Sequence, residues 1–138
     1  MTDAKATVLI ADDDPMLRAI GAELLSEEGY RILEAEDGDE AMRLIETEPV
    51  DLLVLDMLMP NKDGLETIMD LRRRGSDVRI LAISSGGSMD IDSLLKPALA
   101  FGANRIMSKP LRISTFASTI AEMLSQPASA QSPFLTEP

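Results

Sequence analysis

Four apolar residues in a row, Leu52-Leu53-Val54-Leu55, end abruptly at a carboxylate, Asp56. The run is too short for an ordinary helix and reads as a strand buried on both faces. Such strands belong to parallel sheets covered by helices on both sides. In open sheets of that kind, ligands bind beyond the carboxyl ends of the strands, which is where Asp56 lies.

Either side of this run the chain alternates strand and helix patterns. Thr7 to Ala11 reads as the first strand, followed by Asp12-Asp13-Asp14-Pro15. Asp14 suits a helix N-cap and Pro15 the first helical position. Leu17, Ile20, Gly21, Leu24 and Leu25 recur at helical spacing and predict one buried face, with Gly29 at the left-handed end. Tyr30 to Ala35 is a second strand near an edge, since Arg31 and Glu34 interrupt it. A helix over about 38–47 buries Ala41, Met42 and Ile45 and stops before Pro49. After Asp56, a loop over Met57 to Asp63 leads into a helix with Leu65, Ile68 and Leu71 (or Met69) inward. Arg72-Arg73-Arg74 closes it, read as complementing the helix dipole. Val78 to Ile83 is a fourth strand, then Ser84-Ser85-Gly86-Gly87. Ser88 can cap the next helix, which Pro97 should kink or break. Asn104 to Met107 is a fifth strand, followed by Ser108-Lys109-Pro110. A last helix over about 113–124 places Phe116, Ile120, Met123 and Leu124 on one stripe. Residues 126–138 are rich in Pro, Ser and Ala and read as a tail, with Phe134-Leu135 as its apolar pair.

Five strand–helix units with right-handed crossovers predict an α/β fold, a doubly wound five-stranded parallel sheet of order 2-1-3-4-5. Strands one, three, four and five then open on one crevice. The 138 residues fit one domain, over 1–125, with no effector domain beyond it. No cysteine is present, so disulfide and thiolate chemistry are excluded. Nor is there histidine, which removes the commonest general base and any phosphohistidine on this chain. A net charge of -11 argues against nucleic acid as a partner. Without an export signal or a long apolar run, a cytoplasmic location and no membrane contact are expected.

The strand ends carry Asp12/Asp13, Asp56, Ser84/Ser85 and Lys109. Converging carboxylates repel unless a cation joins them, and Mg²⁺ fits a site with a few carboxylates, water and a phosphate. A hydroxyl and an ammonium opposite the cation suit the remaining phosphoryl oxygens. The crevice is therefore read as built for a phosphoryl group on Asp56, a carboxylate able to act as nucleophile.

With Met59-Pro60 and Asp63-Gly64 after Asp56, and Lys109-Pro110 after strand five, the chain resembles the receiver domains of two-component response regulators. The likeness covers about residues 6–125. It implies a flavodoxin-like three-layer sandwich, with Asp56 as phosphoacceptor and Ser84 as switch hydroxyl. Lys109 would contact the phosphate. Asp12, Asp13, Asp56 and the Leu58 backbone carbonyl would hold Mg²⁺. The implied partners are a sensor histidine kinase or histidine phosphotransfer protein and a downstream protein target. The implied activity is limited to the chain's own phosphorylation and self-catalysed dephosphorylation.

Two departures from the family pattern stand out. Ile106 occupies the place, three before Lys109, where such domains usually carry Tyr or Phe. Gly86-Gly87 should loosen the approach to the fourth helix. Met57 and Met59 are open to two readings, as loop methionines covered by a partner or as packing. The acidic run Glu34, Glu36, Asp37, Asp39, Glu40 reads as a solvated edge. A scaffold module with a vestigial site is the first competing function. An aspartate-nucleophile phosphatase is the second, but its acid/base position two after Asp56 is Leu58. A flavin carrier is disfavoured by four aromatics and no hydroxyl-rich loop after strand one.

Overall fold

The computed structural model describes residues 6–84 and 91–126, with the side chain of Ile91 left aside. The expected features at Ser85, Gly86-Gly87, Ser88 and the tail beyond Gln126 lie outside the described residues. Strands β1 (Thr7–Ala11), β2 (Arg31–Ala35), β3 (Leu52–Asp56), β4 (Arg79–Ser84) and β5 (Arg105–Ser108) alternate with helices. The helices are α1 (Pro15–Glu27), α2 (Gly38–Thr47), α3 (Gly64–Arg73), α4 (Lys96–Phe101) and α5 (Ile113–Leu124). All strand pairs are parallel and the order is β2-β1-β3-β4-β5, as the alternation predicted.

The apolar run divides its side chains between two cores. Leu53 and Leu55 join Leu9, Ile80 and Ala82 beneath α2, α3 and α4, through Met42, Ile68, Leu71 and Ala98. Leu52 and Val54 join Val8, Ile10, Leu81 and Ile83 beneath α1 and α5, through Leu25, Phe116, Ile120 and Met123. Every residue of β3 is buried, which is why the run shows no alternation.

Local signals set most boundaries. Asp14 caps α1 through the Met16 N–H, with Pro15 opening the helix. Gly29 follows at φ 97°, a conformation that favours glycine. Asp37 caps α2, and Asp63 and Glu66 form a reciprocal capping box on α3. Pro97 does not break the fourth helical pattern, because it lies near the start of α4 and the residue before that helix, Leu95, is itself helical. A π-helical turn, Ile91–Leu95, leads directly into α4 at Lys96. Strands four and five each start one residue later than expected, at Arg79 and Arg105.

Three further expectations need correction. Ile20, assigned to the buried face of α1, is 55% exposed. Met57 and Met59 are packed into the core under α3, so the partner-covered reading of these residues is overturned. Arg72 is not merely a dipole complement. Its guanidinium is half-buried and donates to the carbonyls of Gly102, Ser76 and Val78 and to Asn104 Oδ1. No helix among the described residues is long and apolar enough to cross a membrane.

Candidate functional site

Each site residue sits at or just past a strand end, and backbone hydrogen bonds fix each end against its neighbour. The Asp12 N–H donates to Ala35 O at 3.1 Å, Met57 N–H to Ile83 O at 2.9 Å and Lys109 N–H to Ser84 O at 2.7 Å. Asp56 is opposite Ile83, and Ser84 is opposite Ser108. The Lys109–Pro110 peptide is cis. Ser84 is fully buried at the tip of β4, between the ends that carry Asp56 and Lys109.

One carboxylate oxygen from each of Asp12, Asp13 and Asp56 lies within 4.8 Å of the other two. Asp12 and Asp56 are buried, whereas Asp13 is exposed. Lys109 Nζ faces the group, 2.9 Å from Asp12 Oδ2 and 3.6 Å from Asp56 Oδ2. The approach to buried Asp12 Oδ2 makes a close ion pair, and Lys109 is shared between the two buried carboxylates. Asp56 Oδ1 accepts the Leu58 N–H at 3.2 Å. The Leu58 side chain points to solvent.

Burial pushes the Asp56 carboxyl up to about 6, and the charge of Asp12 adds to this. The Leu58 N–H and Lys109 pull the other way without cancelling it. Burial alone would lower the Lys109 ammonium, but contact with Asp12 and Asp56 outweighs it and raises the group. Three carboxylates this close, with one lysine in contact, leave excess negative charge in a small volume. An oxygen donor set of this kind suits a hard divalent cation.

The loop after Asp56 is tightly held. A Cβ on Gly64 would lie 2.7 Å from Asp56 O and 2.8 Å from Met57 Sδ. Asn61 takes a left-handed conformation, φ 66°, and donates to Asp37 Oδ2 at 2.8 Å. Gly38 N–H donates to Lys62 O at 2.9 Å, so the start of α2 is latched to this loop. Part of the acidic edge thus has work beyond solvation. Asp37 holds Asn61, and Glu34 pairs with Arg18.

The sequence reading missed Arg18, Thr67 and the Asn61 latch. Thr67 is fully buried, its hydroxyl donating to Asp63 O at 2.7 Å. The one available signal for Arg18 was a cation a single turn into the helix that follows an acidic pair. Ile106, half-buried, packs against the core under α3 and α4, with Leu94 beside the same core.

Comparison with known proteins agrees with this geometry. The response regulator receiver domain family matches residues 8–121. Over 103 residues the chain is 37% identical to the transcriptional regulatory protein CpxR of Klebsiella pneumoniae, covering 75% of this chain and 42% of CpxR. It is 38% identical over 105 residues to response regulator GtcR of Aneurinibacillus migulanus, covering 75% and 41%. The chain thus spans about two fifths of the length of these relatives. Among solved structures, the receiver domain of the Francisella response regulator 1452 superposes with a TM-score of 0.80 at 26% identity, covering 88% of this chain and 98% of that one. TrrA of Thermotoga maritima, solved in complex with Mg²⁺ and BeF, gives 0.75 at 29% identity, covering 86% and 99%. A family match over most of the chain, laid on the sheet order and the acidic crevice, makes this chain a member of the response regulator receiver domain family.

Proposed function

We propose that the chain receives a phosphoryl group on Asp56 from a phosphohistidine of a partner kinase or phosphotransfer protein, and loses it by hydrolysis at the same site. The observation that carries this reading is the cluster of Asp12, Asp13 and Asp56 carboxylates facing the one ammonium of Lys109. Asp12, Asp13, Asp56 and the Leu58 carbonyl would hold Mg²⁺, which when bound offsets charge on the phosphoryl oxygens.

In the forward step an ionised Asp56 oxygen forms a bond to phosphorus as the phosphorus–nitrogen bond to the donor imidazole breaks. The electron pair of that bond leaves with the imidazole. Lys109, raised and therefore charged at neutral pH, contacts the phosphoryl oxygens as charge builds on them. Ser84, buried at the β4 tip, supplies a hydroxyl for a further oxygen. Hydrolysis returns the carboxylate and releases phosphate. The net charge of -11 supports a protein rather than nucleic acid as the partner of this chain.

An apolar groove of about 270 Å³ between α1 and α5 adjoins the crevice. Asp14 and Pro110, neighbours of Asp13 and Lys109, form its near edge. Met16 is 70% exposed and Ile113 62% exposed along it, with Ile20. We assign this groove, in place of the buried Met57 and Met59, to a helix of the phosphoryl donor, which must bring its imidazole to Asp56.

Intact mass after incubation with a small acyl phosphate and Mg²⁺ tests the chemistry. One added phosphoryl group is expected on the native chain and none on Asp56→Asn. No adduct on the native chain would favour the vestigial scaffold reading. Ile20→Glu should slow transfer from a kinase while leaving labelling by the small donor unchanged. Equal slowing of both would remove the groove from the donor interface.

A further inference from the structure

We infer that Arg18 is a positioning residue for the acidic pair: its guanidinium fixes the peptide that joins Asp12 to Asp13, and so sets where the exposed Asp13 carboxylate stands. The inference rests on the Mg²⁺-dependent reading of the site.

The geometry begins at the end of β1. The Asp12 N–H is taken by Ala35 O on β2, and Asp12 Oδ1 accepts the Asp14 N–H at 2.9 Å. The Asp12 carbonyl lies beyond the sheet ladder and before the helix, so neither gives it a partner. Arg18 Nη1 donates to it at 2.6 Å. Arg18 is itself held at both ends. Its backbone N–H donates to Asp14 O at 3.1 Å, and its Nε lies 3.3 Å from Glu34 Oε1 on β2. The side chain is largely buried, whereas Glu34 is half-exposed.

Asp13 is the site carboxylate with least support of its own. It is exposed, and its carboxylate makes no hydrogen bond or ion pair among the described residues. Its position relative to Asp12 therefore depends on the backbone between them, and above all on the plane of the Asp12–Asp13 peptide. Rotating that plane would carry Asp13 away from the other two carboxylates. Arg18 holds the oxygen of that plane, as outer-shell partners commonly orient metal ligands. A lysine keeps the charge but lacks the fork that reaches a carbonyl and a carboxylate together.

Charge acts in the opposite direction, which gives the test a sign. A guanidinium beside the cluster repels an incoming cation. If Arg18 acted through charge alone, removing it would tighten Mg²⁺ binding. If it positions the pair, removing it weakens binding.

The experiment is Mg²⁺ titration of the full chain by calorimetry or amide chemical shift, with thermal melts in metal-free buffer as the folding control. Arg18→Met is expected to bind Mg²⁺ about 10-fold more weakly than the native chain. Arg18→Lys should recover part of that loss, and Glu34→Gln should lose about 2-fold to 3-fold, less than the roughly 10-fold of a direct outer-shell partner because it acts only through Arg18. A purely structural role would lower the melting temperature and leave the affinity in place. Binding by a folded Arg18→Met as tight as native, or tighter, overturns the inference. If Arg18→Met does not fold, Glu34→Gln decides, and unchanged affinity there overturns it. A native chain that binds no Mg²⁺ overturns the function reading itself, and the inference with it.

Discussion

On the β1–β3 side of the crevice, almost every group near the carboxylates is pinned. Asp12 is held through its N–H, its carbonyl and one side-chain oxygen, and Gly64 backs directly onto Asp56 O. On the β4–β5 side the restraint is looser. β5 has four residues, none fully buried, and the segment returning to it passes through a π-helical turn. The difference matches two tasks. On the proposed reading the carboxylates that would hold a cation must keep their geometry, and they follow or end strands buried on both faces. A segment that reports phosphorylation must move, and segments of low burial supply that motion.

The largest effect should come from breaking the chemistry of the crevice, once from the pinned side at Asp56 and once from the looser side at Lys109. Asp56→Asn should abolish labelling, and Lys109→Ala should slow it on the order of 10²-fold, the usual scale for losing one electrostatic contact to a transferring group. Comparable rates for Lys109→Ala and the native chain would place the phosphoryl group elsewhere.

Next in size is packing. Gly64→Ala places a methyl against Asp56 O and Met57, and overpacking of this kind costs about 2 kcal/mol. Ile106→Val, on the looser side, should cost about 1 kcal/mol or less. Urea denaturation of both variants compares the two sides directly. Equal losses would erase the contrast.

A smaller effect, of opposite sign, concerns Asp56 charge. Its folded value of about 6 lies above the ordinary carboxyl value. The folded chain therefore holds this proton more tightly than the unfolded chain does. The stability it brings is full below about pH 4 and is lost as pH rises through about 6. Asp56→Asn should raise stability by about 1–2 kcal/mol at pH 7.5 in metal-free buffer, with the gain shrinking towards pH 5. A variant less stable than native at pH 7.5 would show that repulsion in the crevice is minor.

The smallest effect is the most local. A beryllofluoride phosphoryl mimic with Mg²⁺ should shift amides at Asp92 to Leu94 more than those at Asn104 to Met107. Ile106 has no ring to bury or expose when Ser84 engages a ligand. Larger shifts at Asn104 to Met107 than at Asp92 to Leu94 would show that strand five carries the response.

The carboxyl-end crevice was legible in the sequence because strand ends in a parallel sheet are marked by chemistry. Asp12, Asp56, Ser84 and Lys109 each follow or end an apolar run. The start of α1 was legible through Asp14 and Pro15, and α2 and α5 fall on the residues expected from Pro49 and the Phe116 stripe. Ile20 misled because helical spacing marks an apolar face without showing whether anything covers it. Met57 and Met59 stayed open between packing and partner contact because loop position alone does not set burial, and the structure packs both. Arg18 and Arg72 were hard to read for a shared reason. Each donates to backbone carbonyl oxygen outside its own helix, and no spacing rule records such partners.

Arg72 also has a mechanical consequence. It grips the carbonyl of Gly102 through two nitrogens, at 2.7 and 3.1 Å, while binding Ser76 and Val78 beneath β4. The foot of α4 is thereby anchored at the end of the molecule opposite the crevice. The π-helical turn and α4 together run from Ile91 to Phe101, about 16 Å at ordinary helical rise. A body anchored at one end can only pivot, so a tilt of about 10° would sweep its upper end through roughly 3 Å at that length, while its foot stays in register with β5. The arginine at the foot is the fulcrum, and the crevice lies at the long end of the lever.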